Sequence, residues 1–102
     1  MNKAQLIDNQ AVALYFTSPD CNVCKVLIPK VRELIDQKFP EMILQFIDIA
    51  ENPMTAAEFR VFTVPVILIY FEGREYIRKV RNIGLLELES EISRPYELLF
   101  ES

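Results

Sequence analysis

Cys21 and Cys24 are the only two cysteines among 102 residues, and they stand two residues apart in Cys21-Asn22-Val23-Cys24. Thiols at that spacing can close into a small disulfide ring and open again, so the chemistry they offer is thiol-disulfide exchange. A short apolar run, Ala11 to Phe16, precedes the pair, and a segment with helical periodicity from Val23 to Phe39 follows it. Cys21 therefore falls at a strand-to-helix turn, its sulfur near the first unpaired amides of a helix. That helix end carries about half a positive charge, which favours a thiolate and can lower a cysteine pKa from about 8.5 into the range of about 3.5 to 7.5. Cys21 reads as the nucleophile and Cys24 as its resolving partner. Asp20 opposes the thiolate and Lys25 favours it, but exposed charges a few ångströms apart interact by only about 1 kcal/mol in water, so the helix end decides.

Plainer readings stand beside these. Cys24 can be a small buried hydrophobe and Cys21 incidental. Asp20 can be a solvated loop residue, Pro29 a structural kink in the long helix, and Pro65 a strand-start proline whose missing amide costs nothing. Structural zinc takes about four ligands, and the chain offers two thiols and no histidine. No metal site is expected unless a second copy or an outside ligand such as glutathione completes it.

The elements that must position the pair follow from patterning. Met1 to Asp8 predicts a short helix, with Ala4, Leu6 and Ile7 available to cover a core. Ala11 to Phe16 predicts a strand buried on both faces. Leu27, Val31, Leu34, Ile35 and Phe39 share one helical face, with Lys25, Lys30, Arg32, Glu33 and Asp36 on the other, and Phe39-Pro40 ends that helix. Ile43 to Ile49 predicts a second buried strand, and Asn52-Pro53 an N-cap with proline at the first helical position. Val66 to Phe71 predicts a central strand, joined through Glu72-Gly73-Arg74 to an edge strand over Tyr76 to Val80. After Gly84, Leu85, Leu88 and Ile92 mark a last helix, with a break expected near Arg94 because Pro95 follows.

Half of the residues are apolar and the formal charge is −4. This balance suits one packed domain over residues 1–102, and the lack of a basic stripe with interleaved aromatics excludes a nucleic-acid partner. Ala11 to Phe16 is too short for a signal-peptide core or a membrane span. The expected setting is cytoplasmic and the expected state a monomer; in a reducing compartment a lone C-x-x-C pair is catalytic or metal-binding rather than a staple.

Taken together, these residues resemble the thioredoxin family. The resemblance rests on Cys21-x-x-Cys24-Lys25, Pro29 five residues further into the helix, Asp48 and Asn52-Pro53 after the second strand, Thr63-Val64-Pro65 before the third, and Gly73 at the hairpin turn. It covers the chain from about Ala11 to Gly84. It implies an α/β thioredoxin-like fold, a four-stranded mixed sheet (β-α-β then β-β-α) with helices on both faces. It also implies a cis Val64-Pro65 bond opposite the cysteines, and a Val64 backbone that pairs with an extended substrate, with Asp20 as a further substrate-facing position. The chain departs from the family pattern as well. Because only about ten residues precede the first buried strand, the family's extra N-terminal strand is expected to be absent, and Asp20 stands where a tryptophan is usual. Tyr15 and Phe46 occupy the places of a buried aspartate and its lysine partner, and Asn22-Val23 replaces Gly-Pro.

The expected function is protein-disulfide oxidoreduction through Cys21 and Cys24, in the service of cell redox homeostasis, with no bound cofactor and with a reductase or a low-molecular-weight thiol as electron donor. The alternative is a non-enzymatic adaptor of the same fold that binds a partner beside Pro65. Loss of the buried aspartate and lysine favours the adaptor; retention of both cysteines favours the enzyme.

Overall fold

Ala11–Thr17 form β1, whose first six side chains are all buried. A strand this apolar has to be covered on both faces, and the rest of the chain supplies the cover. A computed structural model describes residues 2–100. Its elements run α1 (Lys3–Leu6), β1, α2 (Asn22–Lys38), β2 (Ile43–Asp48), α3 (Pro53–Glu58), β3 (Val66–Phe71), β4 (Arg74–Val80) and α4 (Leu85–Phe100). The strands form one mixed sheet in the order β2-β1-β3-β4, with β1 parallel to β2 and the other neighbours antiparallel.

The period-two alternation of β1 divides the core into two layers. Ala11, Ala13 and Tyr15 pack with Cys24, Val31 and Ile35 of α2 and with Leu88, Ile92 and Tyr96 of α4. Val12, Leu14 and Phe16 face the other way, toward Leu6 of α1 and the α3 region through Ala56 and Phe59. Phe59 anchors that second layer edge-on against Phe16 and Tyr70, at 5.6 and 5.9 Å between ring centroids.

Connections follow local chemistry. Glu72 and Gly73 both have positive φ, 51° and 79°, as a two-residue type I′ hairpin loop requires. α3 ends in a Schellman arrangement: Arg60 sits at φ 57°, its amide donates to the Ala57 carbonyl, and the Val61 amide donates to the Ala56 carbonyl. The Arg78 guanidinium, reaching across from β4, donates to the Phe59 carbonyl at 2.8 Å and pairs with Glu75.

Four expectations change. β2 is an edge strand in which only Ile47 is fully buried and Ile43 is exposed, because nothing pairs with its outer side. α4 runs unbroken through Pro95. An interior proline costs about 3 kcal/mol, but the turn beyond it is held by Tyr96, which packs edge-on against Phe39 at 5.1 Å and whose hydroxyl accepts the Glu41 amide at 2.9 Å. Asn52 stands at the N-cap of α3 with Pro53 behind it, yet its side chain makes no cap; it donates back to the Asp48 carbonyl at 3.0 Å. In α1, Leu6 is buried but Ala4 is exposed, and the expected start at Met1 lies outside the described residues. The expected end of α2 at Phe39 holds, and the helix passes through Pro29 without interruption.

Candidate active site

The end of β1, the start of α2 and the start of β3 meet at one edge of the sheet. β1 finishes at Thr17, the chain crosses residues 18 to 20, and Cys21 becomes the N-cap of α2, its amide donating to the Ser18 carbonyl at 3.1 Å. Its backbone is extended (φ −82°, ψ 92°) and its side chain makes no capping bond, so the helix amides do not engage the sulfur. One helical turn on, Cys24 points at the sheet. The two cysteines are joined in a disulfide, with their Cα atoms 5.3 Å apart. Cys24 is 2% exposed and Cys21 8%. Both cysteines are buried in the disulfide-bonded form, Cys21 slightly less than Cys24.

β3 begins beside this pair. Phe16 pairs with Val66, which brings Pro65 level with the last residue of β1. The Val64-Pro65 bond is cis. Val64 is half-buried and packs against the same cluster as Cys21 and Cys24. Among the described residues, no other backbone group takes the Val64 amide or carbonyl. Asp20 and Lys25 are both exposed, and neither joins an ion pair among the described residues.

Tyr15 and Phe46, read together in the sequence as two aromatic replacements, are in direct contact. They are directly paired between β1 and β2, with ring centroids 5.7 Å apart. Arg32 lies over the outer face of Phe46 at 4.9 Å, a cation-π contact that patterning had assigned simply to the polar side of α2. Tyr15 is fully buried, its hydroxyl has no hydrogen-bond partner, and burial pushes its pKa up to about 12. Among the described residues, no buried carboxylate or amine lies in the core that holds the disulfide.

Two features escaped the sequence. Arg81 has φ 66°; its amide donates to the Pro65 carbonyl at 2.8 Å and its Nε to the Thr63 hydroxyl at 3.3 Å, tying the end of β4 to the loop before β3. No local pattern marks such a contact across the sheet. The second is an open apolar groove beside the cysteines, between the exposed Val23 and Val26 of α2 and Ile83 and Leu86 near the start of α4. Exposed apolar residues at helical spacing were its only trace. Among the described residues, no group of three or more metal-ligating side chains exists, and no helix is long and apolar enough to cross a membrane.

Known proteins share this arrangement. The family model described as Thioredoxin matches residues 2–94. A thioredoxin-like protein of Bacillus subtilis, YdfQ, is 36% identical over 85 residues, covering 83% of this chain and 75% of that protein. A thioredoxin of Mycobacterium tuberculosis is 27% identical over 88 residues, 86% of this chain and 76% of that one. The solved structure of thioredoxin 1 from Thermosipho africanus superposes with a TM-score of 0.78 at 32% identity, covering 86% of this chain and 97% of its own. With a bonded C-x-x-C pair at the head of α2 and a family match that spans nearly all of the sequence, the chain belongs to the thioredoxin family.

Proposed function

We propose that this protein exchanges disulfides with protein substrates, with Cys21 as the attacking thiol and Cys24 as the resolving one. In the reduced state the Cys21 thiolate attacks a substrate disulfide, one substrate sulfur leaves as a thiolate, and a mixed disulfide forms. Cys24 then loses its proton and attacks Cys21, which releases the second substrate thiol and restores the Cys21–Cys24 bond. The observation that carries this reading is the bonded pair itself, with the less buried cysteine at the N-cap of α2, where the helix end favours the attacking thiolate. The open backbone groups of Val64 give an extended substrate segment something to pair with, with Pro65 as the wall of that site and Asp20 at its rim. Electrons would come from a reductase or a low-molecular-weight thiol, and the setting would be cytoplasmic, with the chain acting as a monomer and needing no bound cofactor.

A second reading, a non-enzymatic adaptor, is favoured by one observation: among the described residues, the cluster around the cysteines holds Tyr15 packed on the partly buried Phe46 and no buried carboxylate. An insulin-type disulfide reduction assay, run with a thioredoxin reductase and separately with glutathione, separates the two. Turnover with either donor supports exchange. No turnover with either, from a pair that is readily reduced, supports the adaptor.

A further inference from the structure

We propose that the Tyr15 hydroxyl is a redox-linked hydrogen-bond donor, unpaired while Cys21 and Cys24 are joined and bonded to the Cys24 sulfur once the disulfide opens. The inference rests on the exchange chemistry proposed above and extends it to the balance between the two redox states. Tyr15 is a positioning residue in this account, acting on the equilibrium through Cys24.

The starting observation is an anomaly of burial. Tyr15 is 0% exposed, yet its hydroxyl bonds to nothing in the disulfide form, and among the described residues it is the sole buried side-chain polar atom in that condition. Leaving such a group unsatisfied disfavours the folded state, and phenylalanine would fill the same space without that cost. The other buried tyrosines are satisfied: the Tyr96 hydroxyl accepts the Glu41 amide and the Tyr70 hydroxyl reaches Glu75. Tyr15 also has a particular location. It is the last fully buried residue of β1 on the face that carries α2, and it belongs to the same contiguous cluster as both cysteines. Its strand neighbours are Phe46 on one side and Ile67 on the other, neither of which offers an acceptor. Cys21 and Cys24 are the groups in that cluster whose hydrogen-bonding capacity changes with redox state, and Cys24, the more buried of the two, is the one that the opened disulfide leaves inside the core.

Reduction adds two electrons and two protons to the pair. An external dithiol supplies both, closes its own S–S bond, and leaves Cys21 and Cys24 as separate thiols. A sulfur held in a disulfide is a poor acceptor; a free thiol, and still more a thiolate, is a better one. Burial keeps the Tyr15 phenol protonated far above neutral pH, so it remains a donor throughout. The hydroxyl therefore burdens the disulfide state and supports the dithiol state, and the protein is a stronger oxidant than it would be with phenylalanine at this position.

The test is a redox titration of wild type and Tyr15→Phe against glutathione and dithiothreitol couples at neutral pH, with denaturant unfolding of each protein in both redox states. The variant should shift the equilibrium about tenfold toward the disulfide, equivalent to about 30 mV. It should also stabilise the disulfide form more than the dithiol form. Tyr70→Phe, on the opposite face of the sheet, should leave the potential unchanged. In wild type, NMR should show the Tyr15 hydroxyl proton exchanging more slowly after reduction. Equal potentials for wild type and Tyr15→Phe, with equal stability changes in both states, would mean that the hydroxyl is a structural accident and would overturn the proposal. A pair that equilibrates with neither couple would overturn the exchange function as well.

Discussion

Replacing Tyr15 by aspartate should accelerate the resolving step while weakening the fold. Cys24 has to lose a proton before it can attack the mixed disulfide, and it is 2% exposed in a cluster with no carboxylate. A phenol whose pKa stands at about 12 leaves only about one phenolate in 100,000 at pH 7. A well-placed general base contributes about 10²–10⁴-fold, so a base this scarce contributes nothing, and water or the departing thiolate takes the proton. A carboxylate at position 15, its pKa raised by the same burial, would bring a usable acceptor beneath the pair. The low end of that range, about 10²-fold, is the expected gain. The cost is set by the ring: Tyr15 is fully buried and packs at a tilt against Phe46, and losing a buried aromatic costs about 3–5 kcal/mol. That is a large share of the roughly 5–15 kcal/mol that holds a domain together, so the measurement belongs at low temperature.

The assay is stopped-flow absorbance on the protein carrying a chromophoric aromatic thiol on Cys21, following release of that thiol as Cys24 attacks. Wild type should show a resolution rate that climbs in proportion to hydroxide through neutral pH, while Tyr15→Asp should be faster and level off once its carboxylate is ionised. The wild-type profile is informative even if the variant folds poorly. A wild-type rate that is flat across neutral pH, or unchanged resolution in folded Tyr15→Asp, would refute the reasoning, because proton removal from Cys24 would then not be limiting.

Two further predictions concern the scaffold. Arg60 occupies a left-handed position that ends α3 at φ 57°, a conformation costing a non-glycine residue about 1–2 kcal/mol; Arg60→Gly should raise stability by about 1 kcal/mol in urea unfolding, and a loss would mean that its side chain contributes more than the backbone strain. Glu75 is held below its ordinary pKa chiefly by the hydrogen bond from Arg78. A depressed carboxylate pKa gives stability that is present above the unfolded-state value and lost as pH falls through the folded one. Glu75→Gln should therefore cost a few tenths of a kcal/mol at pH 7, as partly exposed pairs do, and progressively less as pH falls through the folded-state pKa; a penalty that persists undiminished in acid would assign the effect to packing.

Much of this architecture was legible because apolar periodicity is local. β1, α2, β3 and the last helix could each be read from runs or stripes of residues that no other element would accommodate. The hairpin followed from Glu72-Gly73 between two strands, and the cis Val64-Pro65 bond from the family resemblance. What escaped reading depends on partners distant in sequence. Ile43 to Asp48 is apolar enough for a buried strand, and only the sheet order shows that β2 has a free edge. Pro95 looks like a break until Tyr96 is seen locked onto Phe39 and Glu41. Tyr15 and Phe46 were recognised together as aromatic substitutions, but that their rings touch, with Tyr15 buried, Phe46 partly buried and the Tyr15 hydroxyl without a partner among the described residues, appears only in the structure. Arg81, which ties β4 to Pro65, carries no local signal at all.

The central claim, that Cys21 attacks and Cys24 resolves, is tested most directly by trapping. Cys24→Ser, reduced and then incubated with a protein disulfide such as insulin, should accumulate a mixed disulfide that peptide mass mapping assigns to Cys21. Cys21→Ser, treated in the same way, should accumulate almost none, since its remaining thiol lies buried against the sheet. Equal trapping by the two variants, or trapping through Cys24 alone, would contradict the account.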